Sequence, residues 1–243
     1  MEIRGKTALV TGGAKRVGRA IALELAKKGA AIILHYHQSE KEARETCAEI
    51  KSFGASCFPV KANLTVHAEI LKLASEAHRS SGNIDILVNS ASLYYKTPLQ
   101  DALESDWDKL MDANLKAPFL LSTEIGRRMT KKNSGKIVNI ADWSGFRPYK
   151  DFSAYCTSKG GLITLTKALA RDLAPKVQVN AVAPGPVLAP PGMSEHEKEA
   201  IAKTTALGRW GTPEDVAHAV SFLVENDFIN GIVLVVDGGR SIV

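Results

Sequence analysis

An α/β fold with one doubly wound parallel sheet and helices on both faces is what this sequence predicts, and three observations predict it. Short apolar runs suited to buried strands alternate with helical periodicity along the whole chain, the order that builds parallel βαβ units. The first such run passes through a glycine-rich turn straight into a helix. The chain has 243 residues, 45% of them hydrophobic, enough for one large buried core. Residues 1–243 therefore read as a single domain, without internal repeats or low-complexity tracts.

Taken in order, residues 7–10 form the first strand and lead into Thr11-Gly12-Gly13-Ala14-Lys15-Arg16-Val17-Gly18. Residues 19–28 are helical and stop at Gly29. Gly12 and Gly13 permit the tight turn, Gly18 lets backbone approach closely, and the helix N-terminus offers unpaired N–H groups to a diphosphate. The second strand, 31–35, ends in Tyr36-His37-Gln38-Ser39. In a dinucleotide-binding unit an acid at this place accepts hydrogen bonds from the ribose 2′-hydroxyl of NAD. No Asp or Glu stands between Ala31 and Ser39. His35, His37 and Ser39, with Arg16 in the glycine loop, suit a 2′-phosphate instead, so the expected cofactor is NADP, bound as NADPH.

A helix follows over 40–53, a short strand over 57–60, and Asn63, placed to reach an adenine. Residues 66–80 are an amphipathic helix and 84–88 a strand that runs into Asn89-Ser90-Ala91-Ser92-Leu93-Tyr94-Tyr95. A long helical region over 103–131 carries Asn114 in its middle, an awkward place for that side chain unless it has a task. Beyond lie a strand over 177–182, a Pro/Gly-rich loop over 184–192, a helix over 213–225 and a last strand over 232–236.

The chemistry concentrates between residues 136 and 167. A buried strand over 137–140 is followed by Asp142 and then by a helical pattern bearing Tyr155 and Lys159. Four residues apart, these two share one helix face. A free tyrosine has a pKa of about 10, and a lysine ammonium beside it favours the phenolate, drawing the group toward general acid/base range. Asp142, thirteen positions before Tyr155, ends the strand where its carboxyl can face the same spot. A solvated surface helix would carry the same Tyr/Lys spacing, and the upstream glycine loop is what separates the two cases.

Charge and composition exclude several classes. Thirty-one basic residues against 26 acidic give +5, scattered rather than grouped, which speaks for ordinary solubility over nucleic-acid binding. Cys47, Cys57 and Cys156 show no C-x-x-C spacing, and are expected as free thiols in a reducing compartment with no metal site. The chain opens without a signal-like segment and has no run of membrane-spanning length, so a cytoplasmic location with no membrane partner is expected.

The Thr11–Gly18 loop, Asn89-Ser90-Ala91, Asn114, Tyr155-x-x-x-Lys159 and Pro184-Gly185 resemble the ordered motifs of the short-chain dehydrogenases/reductases over nearly the whole chain. That resemblance implies a Rossmann-type fold, with 1–90 mainly holding a nicotinamide cofactor and 91–243 carrying catalytic and substrate groups. It implies a proton relay of Tyr155, Lys159 and Asn114, the last anchoring a water that links Lys159 to solvent. The implied cofactor set is Gly12, Arg16, Val17, Gly18, His35, His37, Ser39, Asn63, Leu64, Asn89, Ser90, Ala91, Tyr155, Lys159, Pro184 and Gly185. The departures are informative: Arg16 replaces the middle glycine of T-G-x-x-x-G-x-G, Asp142 the usual serine, and Asn63 the adenine-binding aspartate. Arg16, the run from His35 to Ser39, and Asp142 look like the pteridine reductase branch, which implies Ser92, Tyr94, Asp142 and Tyr155 as pterin contacts. The tail from Val236 to Ser241 resembles one that packs at a homotetramer interface. Three activities follow as expectations: NADPH-dependent reduction of a dihydropterin or dihydrofolate, a 3-oxoacyl-type carbonyl reductase, and a catalytically idle NADP-binding regulator.

Overall fold

The computed structural model describes residues 1–190 and 192–243, so Pro191 of the expected 184–192 loop lies outside the described residues. Seven strands form one sheet: β1 Thr7–Val10, β2 Ala31–Tyr36, β3 Cys57–Lys61, β4 Ile86–Asn89, β5 Gly135–Ile140, β6 Val177–Pro184 and β7 Val233–Val236. Their order is β3-β2-β1-β4-β5-β6-β7, and each neighbouring pair is parallel. The order reverses between β1 and β4, so the chain ends of these strands border the crevice in which such sheets bind ligands.

Eight α-helices cover the sheet: α1 Arg16–Lys27, α2 Glu40–Ser52, α3 His67–Ser81, α4 Glu104–Met111, α5 Ala117–Lys131, α6 Ser153–Asp172, α7 Glu195–Ala202 and α8 Pro213–Glu225. The period of two along the strands divides the core. Ala8, Val10, Ile32, Leu34 and Val88 face one layer with Ile21 and Leu25 of α1, Ile50 of α2 and Val220 and Leu223 of α8. Leu9, Ile33, Leu87 and Ile137 face the other, with Leu73 of α3, Leu121 and Ile125 of α5 and Leu169 of α6. Both faces being buried, the strands read as continuous apolar runs rather than alternating ones.

Three differences from the sequence reading have physical causes. The expected helix over 103–131 is broken into α4 and α5 by a π-helical turn, Asp112–Lys116, which widens the backbone at Asn114. Helix α7 was not expected. Its signal is the capping box Ser194-x-x-Glu197, in which Ser194 Oγ accepts the Glu197 N–H and the Glu197 carboxylate accepts the Ser194 N–H. The expectation of three free thiols is corrected. Packing of α2 on β3 brings Cys47 and Cys57 to a Cα–Cα distance of 5.3 Å, and they form a disulfide, leaving Cys156 free and buried.

A second capping box, Thr212 with Asp215, starts α8, which buries Val216, Val220, Leu223 and Val224, whereas α7 buries none of its residues. Removing the cap hydroxyl should therefore lower global stability only where the helix is part of the core. Thr212→Ala is expected to cost about 1 kcal/mol in denaturant unfolding, and Ser194→Ala much less. Equal losses in the two variants would show that α7 belongs to the cooperative unit.

Candidate active site

The glycine loop is shaped by backbone contact. At Gly18 a Cβ would lie 2.3 Å from the Gly12 carbonyl oxygen, and at Gly12, whose φ is +64°, it would lie 2.9 Å from Ala91 Cα. No side chain larger than hydrogen fits at either. Helix α1 starts at Lys15 without a side-chain cap and has no acid in its first turn, unlike α7 and α8. Its first N–H groups thus stay available to an anion, as a dinucleotide diphosphate requires. Thr11 Oγ1 accepts the N–H groups of Ser90 (2.9 Å) and Ala91 (3.0 Å), binding the end of β4 to the loop. The residues fit a dinucleotide.

His35 sits elsewhere than expected. Its ring lies beneath the loop, 2% exposed, with Nδ1 accepting the Gly12 N–H and Nε2 donating to the Ala62 carbonyl, both at 3.0 Å. Burial above all depresses its pKa to about 4, so the ring is neutral at pH 7 and both nitrogens are occupied. A 2′-phosphate has no donor to take from it, and the 2′-phosphate role expected of His35 is replaced by support of the loop. His37 is exposed, and Ser39 precedes α2 without using its side chain as a cap. Arg16, at φ +56°, is exposed and reaches the carbonyls of Leu188 and Ala189 at 3.2–3.5 Å. Asn63 Oδ1 accepts from Thr65 N and Oγ1, and Leu64 is buried beside it. Val17 and Ser90 are part-exposed, while Pro184 closes β6 and Gly185 N–H donates to the Val236 carbonyl. Asn89 points into the core, donating to Ser122 Oγ and Asn139 Oδ1.

At the end of β5 the chain places Asp142 ahead of a 3₁₀ turn, Trp143–Gly145, whose Ser144 N–H donates to Asp142 Oδ1 at 2.7 Å. The other carboxylate oxygen accepts the Tyr155 hydroxyl at 2.8 Å. Lys159, one turn along α6, donates to the Ile140 carbonyl at 2.9 Å and lies 5.8 Å from the Tyr155 ring centre. Asp142, Tyr155 and Lys159 are thus brought together as expected. Their electrostatics differ. Burial, then the Asp142 charge and hydrogen bond, hold the Tyr155 phenol well above its ordinary range. The lowering expected from Lys159 is not found, because the ammonium donates to a backbone carbonyl and stays 5.8 Å from the Tyr155 ring centre.

Asn114 uses both ends of its amide within the protein. Its Oδ1 accepts from Leu93 N–H (2.8 Å) and Ser92 Oγ (3.2 Å), and its Nδ2 donates to the Leu93 carbonyl (2.9 Å) and Ser158 Oγ (3.2 Å). The side chain fastens the loop after β4 to α6 and takes no direct contact with Lys159. Ser92 is drawn into that clamp. Tyr94 lies edge-on to Tyr155 and stacked on Phe152, both at 4.8 Å between ring centres. Trp143 and Tyr149 complete an aromatic wall, with Tyr149 5.9 Å from Phe152. Trp143, Tyr149 and Phe152 were missed from sequence. The signal was present as four aromatics, Trp143, Phe146, Tyr149 and Phe152, in the twelve positions between Asp142 and Tyr155.

Burial lowers the Lys159 pKa from 10.5 to about 8, with Asp142 opposing. Between those values the unfolded chain holds a proton that the folded one has released, so this group's cost to stability is largest below pH 8 and fades as pH rises to 10.5. Lys159→Met should therefore melt higher than wild type at pH 7, by about 1 and at most about 3 kcal/mol, while losing turnover. The difference should shrink between pH 8 and 10.5; a variant less stable at pH 7 would refute this balance.

Residues 6–200 match the short chain dehydrogenase family. The chain is 37% identical to a 3-oxoacyl-(acyl-carrier-protein) reductase from Rickettsia prowazekii over the full length of both. It is 32% identical to a 2-dehydro-3-deoxy-D-gluconate 5-dehydrogenase from Formosa agariphila, covering 98% of this chain and 93% of the other. A crystal structure of a dehydrogenase/reductase from Sinorhizobium meliloti superposes with a TM-score of 0.91 at 34% identity, covering 98% and 97% of the two chains. With the parallel seven-stranded sheet, the glycine loop and the Tyr155/Lys159 pair already in place, these matches settle the family: the chain belongs to the short chain dehydrogenases, oxidoreductases that bind a nicotinamide dinucleotide.

Proposed function

We propose that this protein is an NADPH-dependent reductase of carbonyl compounds in which Tyr155 delivers the proton. The observation that carries the reading is the Tyr155 hydroxyl, protonated and held at 2.8 Å by Asp142 at the carboxyl edge of the sheet, beside buried Lys159. The names of the relatives from Rickettsia prowazekii and Formosa agariphila describe ketone chemistry, which supports a carbonyl substrate over a pterin.

Bound NADPH supplies the hydride. The glycine loop and the first N–H groups of α1 would hold its diphosphate, and Arg16 with His37 and Ser39 its 2′-phosphate, Arg16 exchanging its long bonds to the 188–189 carbonyls for a charge-assisted pair. Tyr155 would turn from Asp142 to the carbonyl oxygen and give up its proton as that oxygen gains charge. Lys159 would stabilise the phenolate left behind, and solvent would restore the proton. The working form is read as a cytoplasmic homotetramer, and the exposed side chains of Trp107 of α4 and Phe119 of α5 offer apolar surface for a subunit contact.

Pterin reduction is the second reading, and Asp142 favours it. A carboxylate suits the amino group and ring nitrogens of a pterin, and Tyr94 offers a π surface beside Tyr155. NADPH oxidation with acetoacetyl thioester against dihydrobiopterin separates the two. The carbonyl reading expects thioester reduction, a gain in it on Asp142→Ser, and a fall of roughly 10²–10⁴-fold on Tyr155→Phe. Pterin reduction lost in Asp142→Ser, with the thioester untouched, would select the pterin instead.

Cofactor choice gives an independent check. Charge-assisted bonds contribute about 1.5–3 kcal/mol, so Arg16→Ala should cut kcat/KM for NADPH by about 10–100-fold and leave NADH nearly unaffected. Equal use of NADH by the wild type would end the NADP assignment.

A further inference from the structure

The C-terminal segment ends beside the aromatic wall, and its placement is over-determined. Asp237, buried, accepts the N–H groups of Gly239 (2.9 Å) and Ser241 (2.7 Å), turning the chain after β7. Arg147 donates to the carbonyls of Ser241 (3.3 Å) and Val243 (2.7 Å) and fixes the tail from the other side. Gly239, at φ +79°, lies so close to Ala206 that a Cβ would approach its methyl to 2.7 Å. Between these ties stands Arg240, its guanidinium 4.6 Å from the Trp143 ring centre and 5.8 Å from that of Tyr149.

The guanidinium is half-buried and has no ion-pair or hydrogen-bond partner among the described residues, because the nearby acid, Asp237, is spent on backbone amides. Stacking on an indole uses the face of a guanidinium and leaves the in-plane N–H groups open. Those edges match a carboxylate bidentately. Arg240 and Asp142 both act on Tyr94 and Tyr149, with opposite sign, so the site is bipolar. An anionic group is repelled from the Asp142 end and attracted to the Arg240 end.

We propose that Arg240 recognises a carboxylate on the substrate, so that oxo acids are reduced in preference to uncharged ketones. This rests on the carbonyl reading above and deepens it. The polarity also orients the substrate, carbonyl toward Tyr155 and carboxylate toward the tail. The simpler role for Arg240, packing the tail onto Trp143, predicts no discrimination by substrate charge.

The test is steady-state kinetics with NADPH on acetoacetate and levulinate, each against its methyl ester, in wild type, Arg240→Met and Arg240→Lys. Wild type should favour at least one acid over its ester by about tenfold or more in kcat/KM, as expected of a bidentate charged contact. In Arg240→Met that ratio should fall to about one or below, through a higher KM for the acid, and Arg240→Lys should keep part of it. The KM for the acid should also rise with ionic strength in wild type, a readout that needs no variant to fold. Esters reduced as well as acids, a ratio unchanged in Arg240→Met, or a loss confined to the KM for NADPH would overturn the assignment and leave the carbonyl reading standing. Reduction of neither acid nor ester would overturn the carbonyl reading and this inference with it.

Discussion

A buried ammonium constrains this molecule more than any other group. Lys159 is 2% exposed, and its one side-chain hydrogen bond among the described residues is to the Ile140 carbonyl at the end of β5. Desolvating such a charge is costly unless an opposite charge stands near, and Asp142, two residues past Ile140, is the group that offsets it. The strand end and the helix must therefore be held in one register. Gly145 shows how closely: a Cβ there would lie 2.7 Å from Ile163 and 3.1 Å from the Gly160 backbone nitrogen, so the turn carrying Asp142 rests directly on α6. A larger residue would press on Ile163 and on the α6 backbone at Lys159 and Gly160.

The same precision extends to the glycine loop through neutral hydrogen bonds. His35 supports Gly12, Thr11 holds Ser90 and Ala91, Asn114 clamps Leu93 and reaches Ser158, and Ser158 Oγ donates to the Tyr155 carbonyl at 2.6 Å. A continuous set of polar contacts thus joins the loop fitted for a diphosphate to the helix that carries the tyrosine. The π-turn at Asn114 has a reason in this set. A regular helix would not aim that amide at both backbone groups of Leu93, and the wider turn does.

Strands, helices and their alternation were legible because the central strands are buried on both faces and β1, β2 and β4 are nearly unbroken apolar runs. The features that depend on side-chain direction were not. Nothing in Ala31-Ile32-Ile33-Leu34-His35 tells whether the histidine ends the run facing solvent or turns back under the loop, because in a doubly covered strand polarity does not mark a face. Asn114 was visible as an anomaly, but its partner lay in a loop twenty-one residues earlier. Cys47 and Cys57 meet only because α2 folds back along β3, a tertiary fact that their spacing of ten does not carry. Asp142, Tyr155 and Lys159 were legible because strand end and helix face are local properties. Arg240 comes to Trp143 and Tyr149 from the far end of the chain.

The aspartate at position 142 changes what the rest of the site has to do. A hydroxyl in its place can donate to a substrate oxygen as well as accept, whereas a carboxylate only accepts. In the proposed reaction the proton given to a reduced carbonyl comes from the Tyr155 hydroxyl, and the Asp142 carboxylate raises the cost of losing it. That cost has to be returned by cations. Lys159, its own proton loosened to about pH 8 by burial, lies 5.8 Å from the Tyr155 ring centre, and a bound cofactor and substrate would dry the site further and strengthen the attraction between ammonium and phenolate. Arg240, 4.6 Å from the Trp143 ring centre, adds positive potential at the aromatic wall. In the proposed reaction Lys159 is the cation that offsets the charge left on Tyr155 as it gives up its proton to the substrate.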